Sequence, residues 1–202
     1  MNRPDEYGYW ELIWENFRAG DSRAFETIYS EFADAMFAYG IKITPHRNLV
    51  EDAIQDSFLD IYKYGSRLKK PESLEFYLYK TLRRNIIRKL KKKNRFTYMD
   101  DFSHLFDLKF PLEDTEPDEL EDHICLLQEE LKNLTAQKRE LLFLKFNSEL
   151  TYREIGELLN CKPDTAKKQV YRILDYLRNK LGKDFLQLFT FTFLDTKKST
   201  KS

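Results

Sequence analysis

The sequence predicts an all-α fold built as two small helical domains joined by an acidic linker. Three observations carry that expectation. Only six glycines and six prolines punctuate 202 residues. Apolar side chains recur at offsets of three and four over long stretches, which is the period of an amphipathic helix. The apolar fraction is 42% and the aromatic fraction 15%, enough for packed cores rather than a disordered tether.

Taken in order, Asp21 is placed to cap a helix carrying Phe25, Ile28, Tyr29, Phe32, Met36 and Tyr39 on one face, with Gly40 as its expected end. A helix after Pro45 puts Val50, Ala53, Ile54, Phe58 and Ile61 on one side and Asp52, Gln55, Asp56 and Asp60 on the other. The stretch YGSRLKKP, 64–71, reads as a loop. Leu74, Tyr77, Leu78 and Leu82 then mark the core side of a helix that runs into RRNIIRKLKKKNR. Residues 96–118 mix acids, aromatics and prolines without a sustained period and read as a solvated tether. Leu120, Ile124, Leu127 and Leu131 open a second helical module. In it Thr135 can cap a helix with Leu141, Leu142, Leu144 and Phe146 that ends near Asn147.

The net charge is zero, with 34 Lys or Arg against 34 Asp or Glu, but the charges are segregated. From Phe76 to Met99 there are nine Lys or Arg and no acid; from Asp100 to Asp122 there are ten Asp or Glu and one base, Lys109. A basic run suits a polyanion, although many basic helix faces are merely solvated. Cys125 and Cys161 stand apart from any C-x-x-C or paired histidines, and read as reduced thiols; no metal or cofactor is expected. The opening MNRPDEYGYW has no apolar run resembling a signal peptide. The longest apolar segment, Phe185 to Leu194, is too short and too polar to span a bilayer, so a soluble cytoplasmic protein is expected.

The densest signal is TYREIGELLNCKPDTAKKQVYR, 151–172. Thr151 and Glu154 form a T-x-x-E capping box. Gly156 sits where a side chain would hold a crossing helix away, and Asn160 suits a left-handed residue that ends the first helix. Pro163 fits the first position of the second helix, whose stripe is Ala166, Val170, Ile173, Leu174, Leu177 and Leu181. Lys167, Lys168, Tyr171 and Arg172 then fall outside that stripe. A second helix offering basic residues outward from its N-terminal half is the geometry that enters a DNA major groove. The plain alternative is a helical hairpin with a solvated basic face. Lys162, at the expected N-cap, offers no acceptor and opposes the helix dipole, a defect that a phosphate would relieve.

With these segments in view, the chain resembles a bacterial RNA polymerase sigma factor of the sigma-70 family, extracytoplasmic-function group, from about Trp10 to Leu181. FRAGDSRAFETIYSEF and EDAIQDSFLDIY resemble sigma domain two; LTAQKRELLFLKFNSELTYREIGELLNCKPDTAKKQVYRIL resembles sigma domain four. The resemblance implies domain two over 8–95, a linker over 96–118, domain four over 119–182 and a tail over 183–202. It implies that the chain binds core RNA polymerase and directs promoter recognition, DNA melting and initiation, with no catalysis of its own. Asp52, Gln55 and Asp56 would dock on polymerase. Arg67, Lys69 and Lys70 in the loop, and Lys80, Arg83, Arg84, Asn85 and Arg88 on the following helix, would hold the melted minus-ten strand. Thr165, Lys167, Lys168, Tyr171 and Arg172 would read the minus-thirty-five duplex. Tyr77 is expected in the core, with Phe76 and Tyr79 open as base-stacking surfaces.

Balanced charge should leave the free chain weak on DNA, with specificity arising only when polymerase fixes both modules. The tail segment DFLQLFTFTFLDT alternates Phe189, Phe191 and Phe193 with threonines, a strand-like pattern with no partner strand. It could extend the last helix, pack back on domain four, or meet an anti-sigma factor; packing back is the expectation, since exposed phenylalanines invite aggregation. A free-standing helix-turn-helix regulator would leave the Asp52, Gln55 and Asp56 face unexplained. A helical scaffold would leave the basic run unexplained. No Walker loop, H-E-x-x-H or G-x-S-x-G is present to support an enzyme.

Overall fold

The computed structural model describes residues 4–65, 73–93, 106–108, 119–182, 185 and 189. All of its regular elements are helices: α1 (Pro4–Arg18), α2 (Ser22–Ile43), α3 (Arg47–Tyr64), α4 (Leu74–Lys93), α5 (Glu119–Lys132), α6 (Ala136–Phe146), α7 (Tyr152–Leu158) and α8 (Pro163–Leu181). The chain divides into two compact units, 1–98 and 99–202.

In the first unit α2, α3 and α4 pack on one another and α1 packs on α2. Asp21 caps α2 as expected, its carboxylate accepting from the Arg23 amide at 2.9 Å. Val50, Ala53, Ile54, Phe58 and Ile61 of α3, Ile28, Met36 and Tyr39 of α2, and Leu78, Leu82 and Ile86 of α4 are all buried where these three helices pack. Tyr29 departs from its expected place; it lies on the flank of the α2 stripe and is nearly half exposed. Gly40 does not end α2. The helix runs on to Ile43, and Gly40 is buried inside it because a Cβ there would meet Val50 Cγ1 at 2.5 Å and Ile86 Cδ1 at 3.3 Å. Its missing side chain lets three helices converge. Helix α1 carries no sequence-level signal as plain as a cap, yet it buries Trp14 and Phe17, with Phe17 stacked near Phe25 at 5.8 Å.

In the second unit α8 is packed by α5, α6 and α7. Thr135 caps α6, accepting from the Lys138 amide, and Asn147 closes it. Leu174 is half-buried rather than in the core, since it falls on the edge of a stripe formed by Ala166, Val170, Ile173, Leu177 and Leu181. The tether reading of 96–118 needs amending at Phe106 and Leu108, which are buried in this unit. Phe106 packs on Phe143 at 5.7 Å, and its carbonyl accepts from Arg139 Nε at 2.9 Å. Arg139 also donates to the carbonyls of Leu131, Lys132 and Leu134, so one guanidinium closes the end of α5 and grips the linker. Phe185 and Phe189 are buried in helical backbone, with Phe189 edge-on to Phe146 at 4.7 Å. At these two positions the strand pattern gives way to packing back, because a four-residue spacing joins them on one helical face. Phe191 and Phe193 lie outside the described residues.

One polar group in this core ties α5 to α8. The Tyr176 hydroxyl donates to Glu130 Oε2, and Lys180 Nζ lies 3.9 Å from Oε1. The hydrogen bond from Tyr176 holds the Glu130 carboxyl below its ordinary range despite opposing desolvation, and the same bond raises the Tyr176 phenol. A carboxyl lowered in the fold adds stability above its unfolded range, lost as it protonates. A phenol raised in the fold adds stability below its unfolded range, lost as it ionises. Thermal unfolding of the second unit should therefore be most resistant between the carboxylate and phenol ranges, and Glu130→Gln should flatten the acid limb; an unchanged acid limb would refute the linkage.

A second expectation concerns Gly156. A Cβ there would stand 2.6 Å from the Cys161 carbonyl oxygen and 3.2 Å from Pro163 N, both backbone atoms that cannot swing aside. Helix propensity alone would make Gly156→Ala stabilising by about 1 kcal/mol. Overpacking should reverse the sign and leave a net loss of about 1–3 kcal/mol in chemical denaturation. A stabilised variant would disprove the close approach.

Candidate nucleic-acid interfaces

The helix-turn-helix is built from local rules that all agree. Thr151 Oγ1 accepts from the Glu154 amide at 3.3 Å, and the Glu154 carboxylate accepts from the Thr151 amide at 2.8 Å, completing the capping box. Leu159 caps the C-terminus of α7, Asn160 follows with φ of 55°, and the Cys161 amide donates to the Gly156 carbonyl at 2.8 Å. That bond, spanning a left-handed residue, is a Schellman closure, which turns the chain sharply. Pro163 then begins α8 and Lys162 sits at its N-cap with no side-chain hydrogen bond. Cys161 fills the turn half-buried, and desolvation pushes its thiol up, away from the reactive thiolate.

Burial of the Ala166 to Leu181 stripe settles where the rest of α8 points. Thr165, Lys167, Lys168, Tyr171 and Arg172 are all exposed, with Tyr171 at 55%. At 3.6 residues per turn, Lys168 stands opposite the stripe, with Arg172 and Thr165 towards one flank and Tyr171 and Lys167 towards the other. The structure thus brings all five expected residues onto one surface of one helix. Burial raises the phenol of Tyr152, at the start of α7, with a smaller push from the Tyr171 phenol; Lys145 Nζ sits 4.9 Å from the Tyr152 ring centre. Sequence reading passed over Tyr152, whose electrostatic coupling to Tyr171 arises only once the turn has closed.

The first unit carries a second charged surface. Lys80, Arg84 and Arg88, four residues apart, are exposed along one ridge of α4, and Arg83 is half-buried beside it. Lys80 Nζ lies 5.6 Å from the Phe76 ring centre. Asn85 is corrected. It is fully buried, with Nδ2 donating to Ser57 Oγ at 3.0 Å, so it pins α4 to α3 and cannot touch a strand. Helical spacing turns position 85 towards the core alongside Leu82 and Ile86, and its amide finds a partner only because Ser57 faces it. The aromatics also sort differently from expectation. Tyr79 is buried, edge-on to Tyr39 at 4.9 Å, whereas Tyr77 and Phe76 are half-buried. Arg67, Lys69 and Lys70 lie outside the described residues.

On α3, Asp52 and Gln55 are exposed and Asp56 is half-buried. The acids turned towards α4 are engaged. Asp56 Oδ2 lies 2.9 Å from Lys89 Nζ and 3.5 Å from Arg88 Nη2, and Asp60 Oδ2 lies 3.4 Å from Arg84 Nη2. Pairs as exposed as these contribute about 0–1 kcal/mol each, so they exchange readily for another partner. The same face continues through Leu59, half exposed, and Tyr62, 64% exposed and edge-on to Phe25 at 5.4 Å. These two were passed over in the sequence, where only the charged and amide residues of the outer face were read. Their offsets from Gln55, four and seven, carried the signal.

Among the described residues there is no group of three or more His, Cys, Asp or Glu placed to hold a metal ion, and no helix long and apolar enough to cross a membrane. Residues 28–96 match Sigma-70 region 2, and residues 126–177 match Sigma-70, region 4. RNA polymerase sigma factor SigV of Bacillus subtilis is 28% identical over 135 residues, covering 67% of this chain and 77% of its own. ECF RNA polymerase sigma factor SigW of the same organism is 25% identical over 175 residues, covering 81% and 92%. ECF RNA polymerase sigma-E factor of Haemophilus influenzae is 21% identical over 182 residues, covering 85% and 94%. In fold, the chain is similar to the sigma factor RpoE of Bartonella quintana, solved in complex with the anti-sigma factor NepR. That likeness has a TM-score of 0.53 at 21% identity and spans 81% of this chain and 96% of that one. Both regions occur in order on one all-helical chain, and it belongs to the extracytoplasmic-function group of the sigma-70 family: a non-catalytic sigma factor that directs RNA polymerase to promoters for transcription initiation.

Proposed function

We propose a division of labour among the residues that perform this role. Residues 8–95 act as domain two, 96–118 as the linker, 119–182 as domain four and 183–202 as a C-terminal tail whose Phe185 and Phe189 pack back on domain four. Asp52, Gln55 and Asp56 dock on core polymerase, with Leu59 and Tyr62 extending that face by an apolar margin of the kind interface centres use. Lys80, Arg83, Arg84 and Arg88 track the melted minus-ten strand, together with Arg67, Lys69 and Lys70 of the preceding loop; a basic ridge beside the Phe76 ring suits single-strand binding. Thr165, Lys167, Lys168, Tyr171 and Arg172 read the minus-thirty-five duplex, with Lys162 and the amides at the start of α8 receiving a backbone phosphate. The protein acts in the cytoplasm, where polymerase and promoters are. An anti-sigma factor is a further partner, as the complex of the Bartonella quintana relative suggests by analogy.

The observation that carries the duplex reading is the common exposure of those five α8 residues outside its buried stripe. The test is reconstitution with core polymerase on a promoter library, scoring transcript starts. Single alanine substitutions at Lys168, Tyr171 or Arg172 should each lower minus-thirty-five-dependent initiation about tenfold, from contacts worth about 1–3 kcal/mol each. Polymerase binding should stay at the wild-type level. Loss of core binding instead, or full-strength initiation, would overturn the assignment.

A further inference from the structure

Two of the cations assigned to the melted strand, Arg84 and Arg88, already have anionic partners within the same domain. Asp56 holds Lys89 and Arg88 through one carboxylate oxygen, and Asp60 holds Arg84 one helical turn further along. Both acids lie on the flank of α3 that faces α4, and the buried Ser57–Asn85 hydrogen bond sits between the two helices at the same level. That bond fixes the register, so the carboxylates meet α4 where a strand's phosphates would. Asp56 also belongs to the face read as the polymerase-docking surface.

We propose that Asp56 and Asp60 are built-in phosphate mimics. In the free chain they occupy Arg84, Arg88 and Lys89, and engagement of Asp56 by polymerase hands Arg88 and Lys89 to the melted strand. Docking and strand binding are thereby coupled through a shared carboxylate, and Lys89 joins the strand-binding set. Coupling of this kind needs a discrete pairing that both sites bias, and Asp56 supplies it. The exchange is easy because the pairs are solvent-accessible and individually weak. This rests on the assignment above of α3 to polymerase and α4 to DNA.

The experiment titrates the full chain, without polymerase, against a labelled oligothymidylate over a range of salt. Asp60→Asn should raise affinity about threefold to tenfold at low salt and steepen the log–log salt dependence by about 0.7, the increment for one released cation on a single strand. In an Arg84→Gln background the same substitution should change nothing. A gain that persists there would be a general charge effect and would overturn the proposal, as would no gain in a variant that retains its helical circular dichroism and melting temperature. Should Asp60→Asn fail to fold, Asp56→Asn reads the same effect through Arg88 and Lys89. With core polymerase saturating, the Asp56→Asn gain should vanish, since docking has already released those cations; an undiminished gain would refute the hand-over. Failure of the underlying assignment registers separately, as wild-type chain that gives no promoter-specific transcripts, because the free-chain titration involves no polymerase.

Discussion

Helix α3 must satisfy two surfaces at once, and most of the first unit follows from that constraint. Its stripe from Val50 to Ile61 closes the core, while the rest of its circumference carries Asp52, Gln55, Asp56, Leu59 and Tyr62. Neither side can rotate without spoiling the other. Gly40 permits the approach of α2, and the Ser57–Asn85 bond permits only one placement of α4, since any shift would leave a buried amide without its partner. Aliphatic packing alone tolerates repacking, but one hydrogen bond inside it specifies a register. The direction in which Arg84 and Arg88 point is thus decided by a residue that never reaches solvent.

The second unit solves a similar problem with backbone rather than side chains. Two helices must meet closely enough for α8 to be held by α7, yet leave the outer side of α8 clean. Gly156 supplies the closeness, Asn160 the reversal of chain direction, and the Cys161-to-Gly156 bond the closure. Arg139 does the equivalent at the other end, collecting carbonyls from the end of α5 and from Phe106. A helix end and a linker segment that would otherwise leave acceptors unsatisfied are joined by one planar donor.

What was legible in the sequence divides along the same physical line. Caps and turns are encoded within four or five residues, so Asp21, Thr135, the Thr151–Glu154 box, Asn160 and Pro163 could all be read directly. The exposure of the five α8 residues followed, because a stripe of offsets 4, 7, 11 and 15 fixes which side is outside. Features that depend on a distant segment were not legible. Gly40 looked like a helix end because a glycine's local meaning is termination, and only Val50 and Ile86 reveal its other use. Asn85 looked like a strand contact because it lies among arginines. Tyr79, left undecided, takes the core place expected of Tyr77, because a two-residue offset decides which ring meets Tyr39. Phe106 sat in a stretch without periodicity, where a single buried aromatic leaves no pattern to detect; in the tail the alternation pointed to a strand and masked the four-residue spacing of Phe185 and Phe189, although packing back was expected.

Charge shows the same limit, and here the structure changes the meaning of a number. Read along the chain, a basic run precedes an acidic run, and the zero total looks like cancellation between neighbours in sequence. In space, cations of the basic run are answered by Asp56 and Asp60, which lie more than twenty residues earlier on α3. The acids of the linker are therefore not needed to neutralise those arginines. A neutral chain can then keep a fully basic ridge for a polyanion without attracting every polyanion it meets, provided the neutralising groups belong to a surface that a second partner covers. Under the proposed coupling, local pairing rather than net charge sets how this chain meets DNA.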